Sequence, residues 1–174
     1  MAPSIIVLVV LLIILIFSFF VVKQQTAAIV QRFGKFQSVR QAGLQLKIPL
    51  IDKIAGRLSL RIQQLDVNVE TKTKDDVFVR LKVSVQYVVL RDKIYDAFYR
   101  LDDPYQQITS YVFDTVRAEV PKLKLDDVFE KKDDIAIAIR RELEQSMNEY
   151  GYGIIKALVT DIDPDQEVKH AMNR

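Results

Sequence analysis

The chain has 174 residues, a net charge of +2 and a mean hydropathy of +0.07, room for one compact domain once an apolar leader is set aside. Zero cysteines exclude disulfide frameworks, thiolate metal sites and cysteine nucleophiles and fit a reducing compartment, while a single histidine, His170, excludes imidazole clusters. The net charge hides a gradient: residues 23–100 hold 15 basic against 7 acidic side chains, and residues 101–174 hold 10 against 16.

Ile5–Val22 reads IIVLVVLLIILIFSFFVV, with Ser18 as its only polar member. A helix of that length, rising about 1.5 Å per residue, covers roughly 27 Å, close to the hydrocarbon thickness of a bilayer. The run predicts a membrane-spanning anchor within residues 1–25, with Ile5, Leu8, Leu12, Leu15, Phe19 and Val22 along its span. A cleaved signal peptide is the alternative. Met1–Ser4 carry no basic residue and Gln24–Ala28 makes a poor cleavage site, so the retained anchor is the better reading. Lys23, Arg32, Lys35 and Arg40 follow the run, and the positive-inside rule then puts the N-terminus outside and the domain in the cytoplasm. The expected location is a plasma or bacterial inner membrane, crossed once. The basic half beside the bilayer is attracted to anionic headgroups. Opposite charge on the two halves also lets copies pair head to tail into rings or filaments. An ordinary solvated surface is the plain alternative.

Ala27–Phe36 places β-branched and aromatic residues around Gly34-Lys35, a hairpin pattern. Gly43–Ile51 alternates and is broken at Pro49. It reads as a short edge strand, with Leu46, Ile48, Pro49, Leu50 and Ile51 alternatively forming a membrane-dipping loop. Leu58, Leu60 and Ile62 alternate with polar neighbours. Leu65, Val67 and Val69 resume one residue out of phase, which predicts a bulge at Gln63-Gln64. After a polar turn at Thr71–Asp76, Val77, Val79, Leu81, Val83, Val85, Tyr87 and Val89 mark one face of a half-buried antiparallel sheet.

From Asp92 the period becomes helical. Helices are predicted over Asp92–Leu101 and Asp103–Val120, the second capped by Asp103 with Pro104 at its first position. Ile108, Tyr111, Val112 and Val116 share its apolar stripe. Asp126 or Asp127 is expected to cap a short turn holding Val128 and Phe129. Asp133 opens a long amphipathic helix, with Ile135, Ile139, Leu143 and Met147 inward and Gly151 as its stop. Ile154–Ile162 returns to strand. Pro164 then starts a further helix carrying Val168, Ala171 and Met172, and the chain stops inside it, as a truncated helix would. The fold class is therefore α+β, divided as anchor 1–25, domain 26–163 and the start of a C-terminal helix at 164–174.

Chemistry-bearing patterns are scarce. No serine sits in a nucleophile-elbow pattern and no Gly-rich phosphate loop is present. The paired carboxylates Asp75-Asp76, Asp102-Asp103, Asp126-Asp127 and Asp133-Asp134 fall at turns or helix starts, where capping explains them. Asp161, Asp163 and Asp165 mimic a calcium loop, but Gln166 and Met172 stand where Gly and Glu are needed, leaving a turn with an N-cap. The basic residues of 57–82 have few exposed aromatics among them, against nucleic acid as a partner. The sequence predicts no enzyme, no cofactor and no metal.

Several ordered segments resemble the SPFH superfamily (stomatin, prohibitin, flotillin and relatives), and within it the hypersensitive-induced reaction proteins. They are Gln31–Phe36 (QRFGKF), Leu58–Val67 (LSLRIQQLDV), Glu70–Asp75 (ETKTKD), Tyr111–Asp114 (YVFD), Val120–Leu123 (VPKL), Leu125–Glu130 (LDDVFE) and Asp161–Asp165 (DIDPD). The resemblance implies an SPFH domain of two small α/β-type lobes, followed in the family by a long coiled coil that is absent here. It also implies homo-oligomeric rings or cages that organise membrane microdomains and modulate partners such as a membrane protease or channel, with no catalytic residues to carry over. Unlike lipidated relatives and those with a Pro-bent hairpin, this chain has neither an N-terminal Gly nor a Pro within Ile5–Val22. The functional expectation is a membrane-anchored, oligomeric scaffold bound to a lipid bilayer, with Lys122, Lys124, Lys131 and Lys132 at the subunit contacts. A monomeric membrane-bound adaptor docking one protein is the alternative.

Overall fold

A computed structural model describes residues 2–165, with side chains from Val7 onward. The chain divides into two compact units, Met1–Arg61 and Ile62–Arg174.

In the first unit, helix α1 (Ala2–Ser18) leads into strand β1 (Phe19–Val22). This overturns the membrane-spanning anchor predicted over Ile5–Val22. The helix stops at Ser18, and no helix among the described residues is long and apolar enough to cross a membrane. The physical reason lies in the last four positions. Phe-Phe-Val-Val is aromatic and β-branched, a composition that favours extended backbone. Its partner is strand β4 (Gly43–Leu46), in the register Phe19↔Leu46, Phe20↔Gln45, Val21↔Leu44 and Val22↔Gly43. The Lys47 N–H then donates to the Ser18 carbonyl at 2.8 Å. That bond takes an acceptor which a continuing helix would have used four residues on. Phe19 and Val22 are therefore strand residues, and Ile5, Leu8, Leu12 and Leu15 belong to a shorter helix. The single-pass topology falls with the crossing, and so does the sidedness argued from the flanking charges.

Strands β2 (Thr26–Arg32), β3 (Lys35–Arg40) and β5 (Asp52–Ser59) form the other sheet of this unit, in the order β3-β2-β5. The β2–β3 hairpin predicted around Gly34-Lys35 turns one residue earlier, at Phe33-Gly34. Both residues have positive φ, 49° and 79°, as a tight turn matching the strand twist demands. Ala27, Ala28, Ile29 and Val30 on the central strand are buried.

The second unit begins where a bulge was expected. Strand β5 ends at Ser59 and strand β6 (Gln63–Lys72) starts at Gln63, so the phase change marks the boundary between units. Strands β7 (Phe78–Val89) and β8 (Tyr152–Pro164) complete an antiparallel sheet in the order β6-β7-β8. Val79, Leu81, Val83, Val85, Tyr87 and Val89 are buried along one face, as their alternation requires. Helices α2 (Ile94–Tyr99), α3 (Pro104–Glu119), α4 (Leu125–Glu130) and α5 (Lys132–Met147) are inserted between β7 and β8. The Asp103 carboxylate caps α3, accepting from the Gln106 N–H at 3.0 Å. Ile108, Val112 and Val116 from α3 and Ile135, Ile139, Leu143 and Met147 from α5 are buried, a core built from the two predicted stripes.

Two caps differ from expectation. Helix α4 takes no side-chain cap at its own start; the Leu125 N–H instead donates to Asp75 Oδ1, 50 residues away, at 3.1 Å. Helix α5 likewise has no side-chain cap, and Asp133 lies within its first turn. The predicted turn at Asp161–Asp165 is strand as far as Pro164, with Asp161 opposite Lys82 and Asp163 opposite Arg80. The helix expected to follow, with Val168, His170, Ala171 and Met172, lies outside the described residues.

Candidate functional site

An exposed apolar surface lies on the first unit. Cross-strand partners in an antiparallel pair point to the same face. The β1–β4 register therefore puts Phe19, Leu46, Val21 and Leu44 side by side, and they are exposed by 43%, 56%, 61% and 66%. Along α1, Val7 to Phe17 are exposed by 44–66%, on every side of the helix. A helix apolar all round requires an apolar surrounding. The following segment adds Ile48, Leu50 and Ile51, all exposed, with Pro49 half-buried between them. Of the five residues assigned to a membrane-dipping loop, Leu46 ends β4 and the other four form this connecting segment.

That segment is held in shape by one carboxylate. Asp52, with its side chain 3% exposed, accepts from Arg32 Nε at 2.8 Å and Nη2 at 3.3 Å, and from the Ile48 N–H at 2.9 Å. The Asp52 N–H in turn donates to the Ile48 carbonyl at 2.8 Å. The Arg32 hydrogen bond, then the Ile48 N–H, hold the Asp52 carboxyl below the usual carboxylate range. The loop thus presents Leu50, at φ +71°, outward from a fixed base.

The unit is also basic. Residues 1–61 contain four lysines and four arginines against Asp52 alone, a net +7. Nothing in the hydropathy pattern marks Asp52. Its role arises from register, the only earlier signal being that residues 1–51 contain no acid.

The four lysines assigned to subunit contacts all lie exposed in the second unit, between Val120 and Lys132. Lys122 pairs with Glu119 at 3.0 Å and Lys131 with Asp127 at 3.8 Å, local pairs of the kind that line solvated helices. Lys124 caps α4 without a side-chain bond and lies near enough to Asp75 to help hold its carboxyl down, after the Thr73 hydroxyl. Lys132 opens α5.

On the wet face of the second sheet, Arg80 pairs with Glu70 at 3.4 Å and Lys82 with Asp66 at 3.1 Å. This basic row is thus neutralised across the strands. Tyr87 and Tyr105 both donate to Gln63 Oε1, at 3.3 and 3.2 Å, while burial raises the Tyr87 phenol. Among the described residues no group of three or more His, Asp or Glu side chains is placed to hold a metal ion.

Comparison with known proteins bears on this geometry. The family described as SPFH domain / Band 7 family matches residues 20–174. Hypersensitive-induced response protein 4 of Arabidopsis thaliana is 47% identical over 151 residues, covering 86% of this chain and 52% of the relative. Stomatin-like protein 2, mitochondrial, of Homo sapiens is 30% identical over 152 residues, covering 86% of this chain and 42% of that protein. The chain thus spans about half the length of the curated relatives it matches.

Proposed function

This chain belongs to the SPFH domain / Band 7 family, and on that premise we propose that it is a non-catalytic scaffold that assembles with copies of itself on a lipid surface. The observation that carries the reading is the exposed apolar surface of the first unit: α1 together with the Phe19, Val21, Leu44 and Leu46 face. Contiguous apolar patches beyond a few hundred Å² mark sites of interaction. A helix apolar on all sides joined to an apolar strand face suits lipid better than one protein groove. The proposed contact is insertion of α1 and the β1–β4 face into one side of the bilayer, with no helix crossing it.

Self-assembly supplies the scaffolding role. The first unit carries +7 and residues 62–174 carry −5, so neighbouring copies attract through unlike units. Lys122, Lys124, Lys131 and Lys132 are the proposed local exceptions, basic positions on an acidic unit that set the register of that contact. Organisation of lipid around the assembly, and modulation of a membrane protease or channel, complete the proposal.

Vesicle flotation of the full chain tests it. The chain floats with lipid, whereas Val21→Asp with Leu44→Asp stays at the bottom of the gradient while keeping its circular dichroism. Native mass of the floated protein then separates the scaffold from a single-copy adaptor. Several copies per particle support the scaffold, and one copy per particle refutes it.

A further inference from the structure

We infer that the lipid met by the first unit is anionic and that Arg40 and Arg57 form the seat for its headgroup. The inference rests on the lipid-surface reading and adds the charge class of the lipid and the residues that recognise it. Asp52 is the sole carboxylate of residues 1–61, and Arg32 and the Ile48 N–H already occupy it. Of the seven remaining basic residues of this unit, Arg40 also pulls on the Asp52 carboxylate electrostatically, and residues 1–61 hold no second acid for the others.

Two of them are brought together by the sheet. Arg40 on β3 and Arg57 on β5 are both register partners of Ala28 on β2. They therefore share one face and flank that buried alanine, two strand spacings or about 10 Å apart. Arg40 is half-buried, and its Nε, like the Ser38 hydroxyl two residues before it, is buried without a hydrogen-bond partner. A guanidinium in that position gains from an acceptor arriving from outside, and its planar fork matches phosphate oxygens. Arg57 Nη2 reaches the Val21 carbonyl at 3.5 Å, so this cation stands directly beside the strand that carries the apolar face. Charge and acyl-like surface side by side fit a lipid with a phosphate headgroup better than a soluble phosphate.

The test is flotation of the full chain with neutral phosphatidylcholine vesicles and with vesicles containing phosphatidylserine, at low and high salt. Preference for the phosphatidylserine vesicles, weakened by salt, is expected. Arg40→Gln and Arg57→Gln should each lower that preference about fivefold, the factor set by one basic residue near an anionic surface. Arg57 is exposed, so its variant reads out even where Arg40→Gln perturbs the sheet. Lys35→Gln, at the hairpin tip, carries the same charge loss away from the pair; an equal effect there overturns the assignment to Arg40 and Arg57. Equal flotation with both vesicles overturns the anionic preference and leaves the lipid reading standing. Flotation with neither removes both.

Discussion

Arg32 and Asp52 are register partners at the end of the β2–β5 ladder, and their side chains close the same pairing with two bonds, at 2.8 and 3.3 Å. Because the carboxylate also accepts from the Ile48 N–H, the pair fixes the loop that presents Leu50 and Ile51. Asp52→Ala leaves a half-buried guanidinium and an amide without their acceptor, so urea unfolding should register a loss of about 1–3 kcal/mol. The same pair sets a pH dependence. A carboxyl held below its ordinary value of about 3.9 contributes stability that is complete above that value and is lost as pH falls through the native one. Between pH of about 6 and about 3, the urea midpoint should therefore fall less in Asp52→Asn than in the parent chain. An equal fall in both would show that Asp52 is not part of the acid response.

Asp75 joins two segments far apart in sequence. Its Oδ1 accepts from the Thr73 hydroxyl at 2.6 Å and from the Leu125 N–H at 3.1 Å, while the Lys74 N–H donates to the Leu123 carbonyl at 2.8 Å. Asp75→Ala should speed hydrogen exchange at the Leu125 amide, and Asp126→Ala and Asp127→Ala should leave it unchanged. If either of the latter speeds it as much, the cap is local after all.

These cases show what was legible in the sequence and what was not. The alternation from Val79 to Val89, the α3 stripe and the Asp103 cap were readable because each depends on neighbours within one element. The capping of α4 was not, since a local rule points to Asp126 or Asp127 and the actual acceptor comes from the β6–β7 turn. Ile5–Val22 was misread for a related reason. Hydropathy describes the run alone, whereas Phe19–Val22 are claimed by a partner strand twenty residues on. The candidate surface was legible only in part: Leu46 and Ile48–Ile51 stood out as apolar, but Arg40 and Arg57 are paired by register across Ala28, which composition does not encode.

The buried face of α5 offers a test of the second core. Leu143 is fully buried, whereas Ile137 on the same helix is 59% exposed. Leu143→Ala removes packed methyl groups and leaves a cavity, and should destabilise by about 2–5 kcal/mol. Ile137→Ala should stay within about 0.5 kcal/mol of the parent chain. A comparable loss at both positions in urea unfolding would mean that the outer face of α5 is also covered.

Gly151 ends the helical insertion in a place where no side chain fits. Its φ is +83°, and a Cβ built there would stand 2.4 Å from the Lys93 carbonyl oxygen and 3.0 Å from the Ala97 nitrogen. The approach is fixed from both directions: Lys93 Nζ donates to Asn148 Oδ1 at 2.7 Å, and the Leu90 N–H donates to the Gly151 carbonyl at 2.8 Å. Gly34 at the β2–β3 turn has a similar φ of +79° but open space around it. Left-handed backbone alone costs a residue with a Cβ about 1–2 kcal/mol, and that is the whole expected effect of Gly34→Ala. Gly151→Ala adds a collision with backbone that is itself held by hydrogen bonds, and should cost about 2 kcal/mol more. Amide exchange in α5 and β8 reports the second effect and in β2 and β3 the first. Similar losses at the two sites would show that Lys93 moves aside freely, and that the junction between α2 and β8 is looser than its bonds indicate.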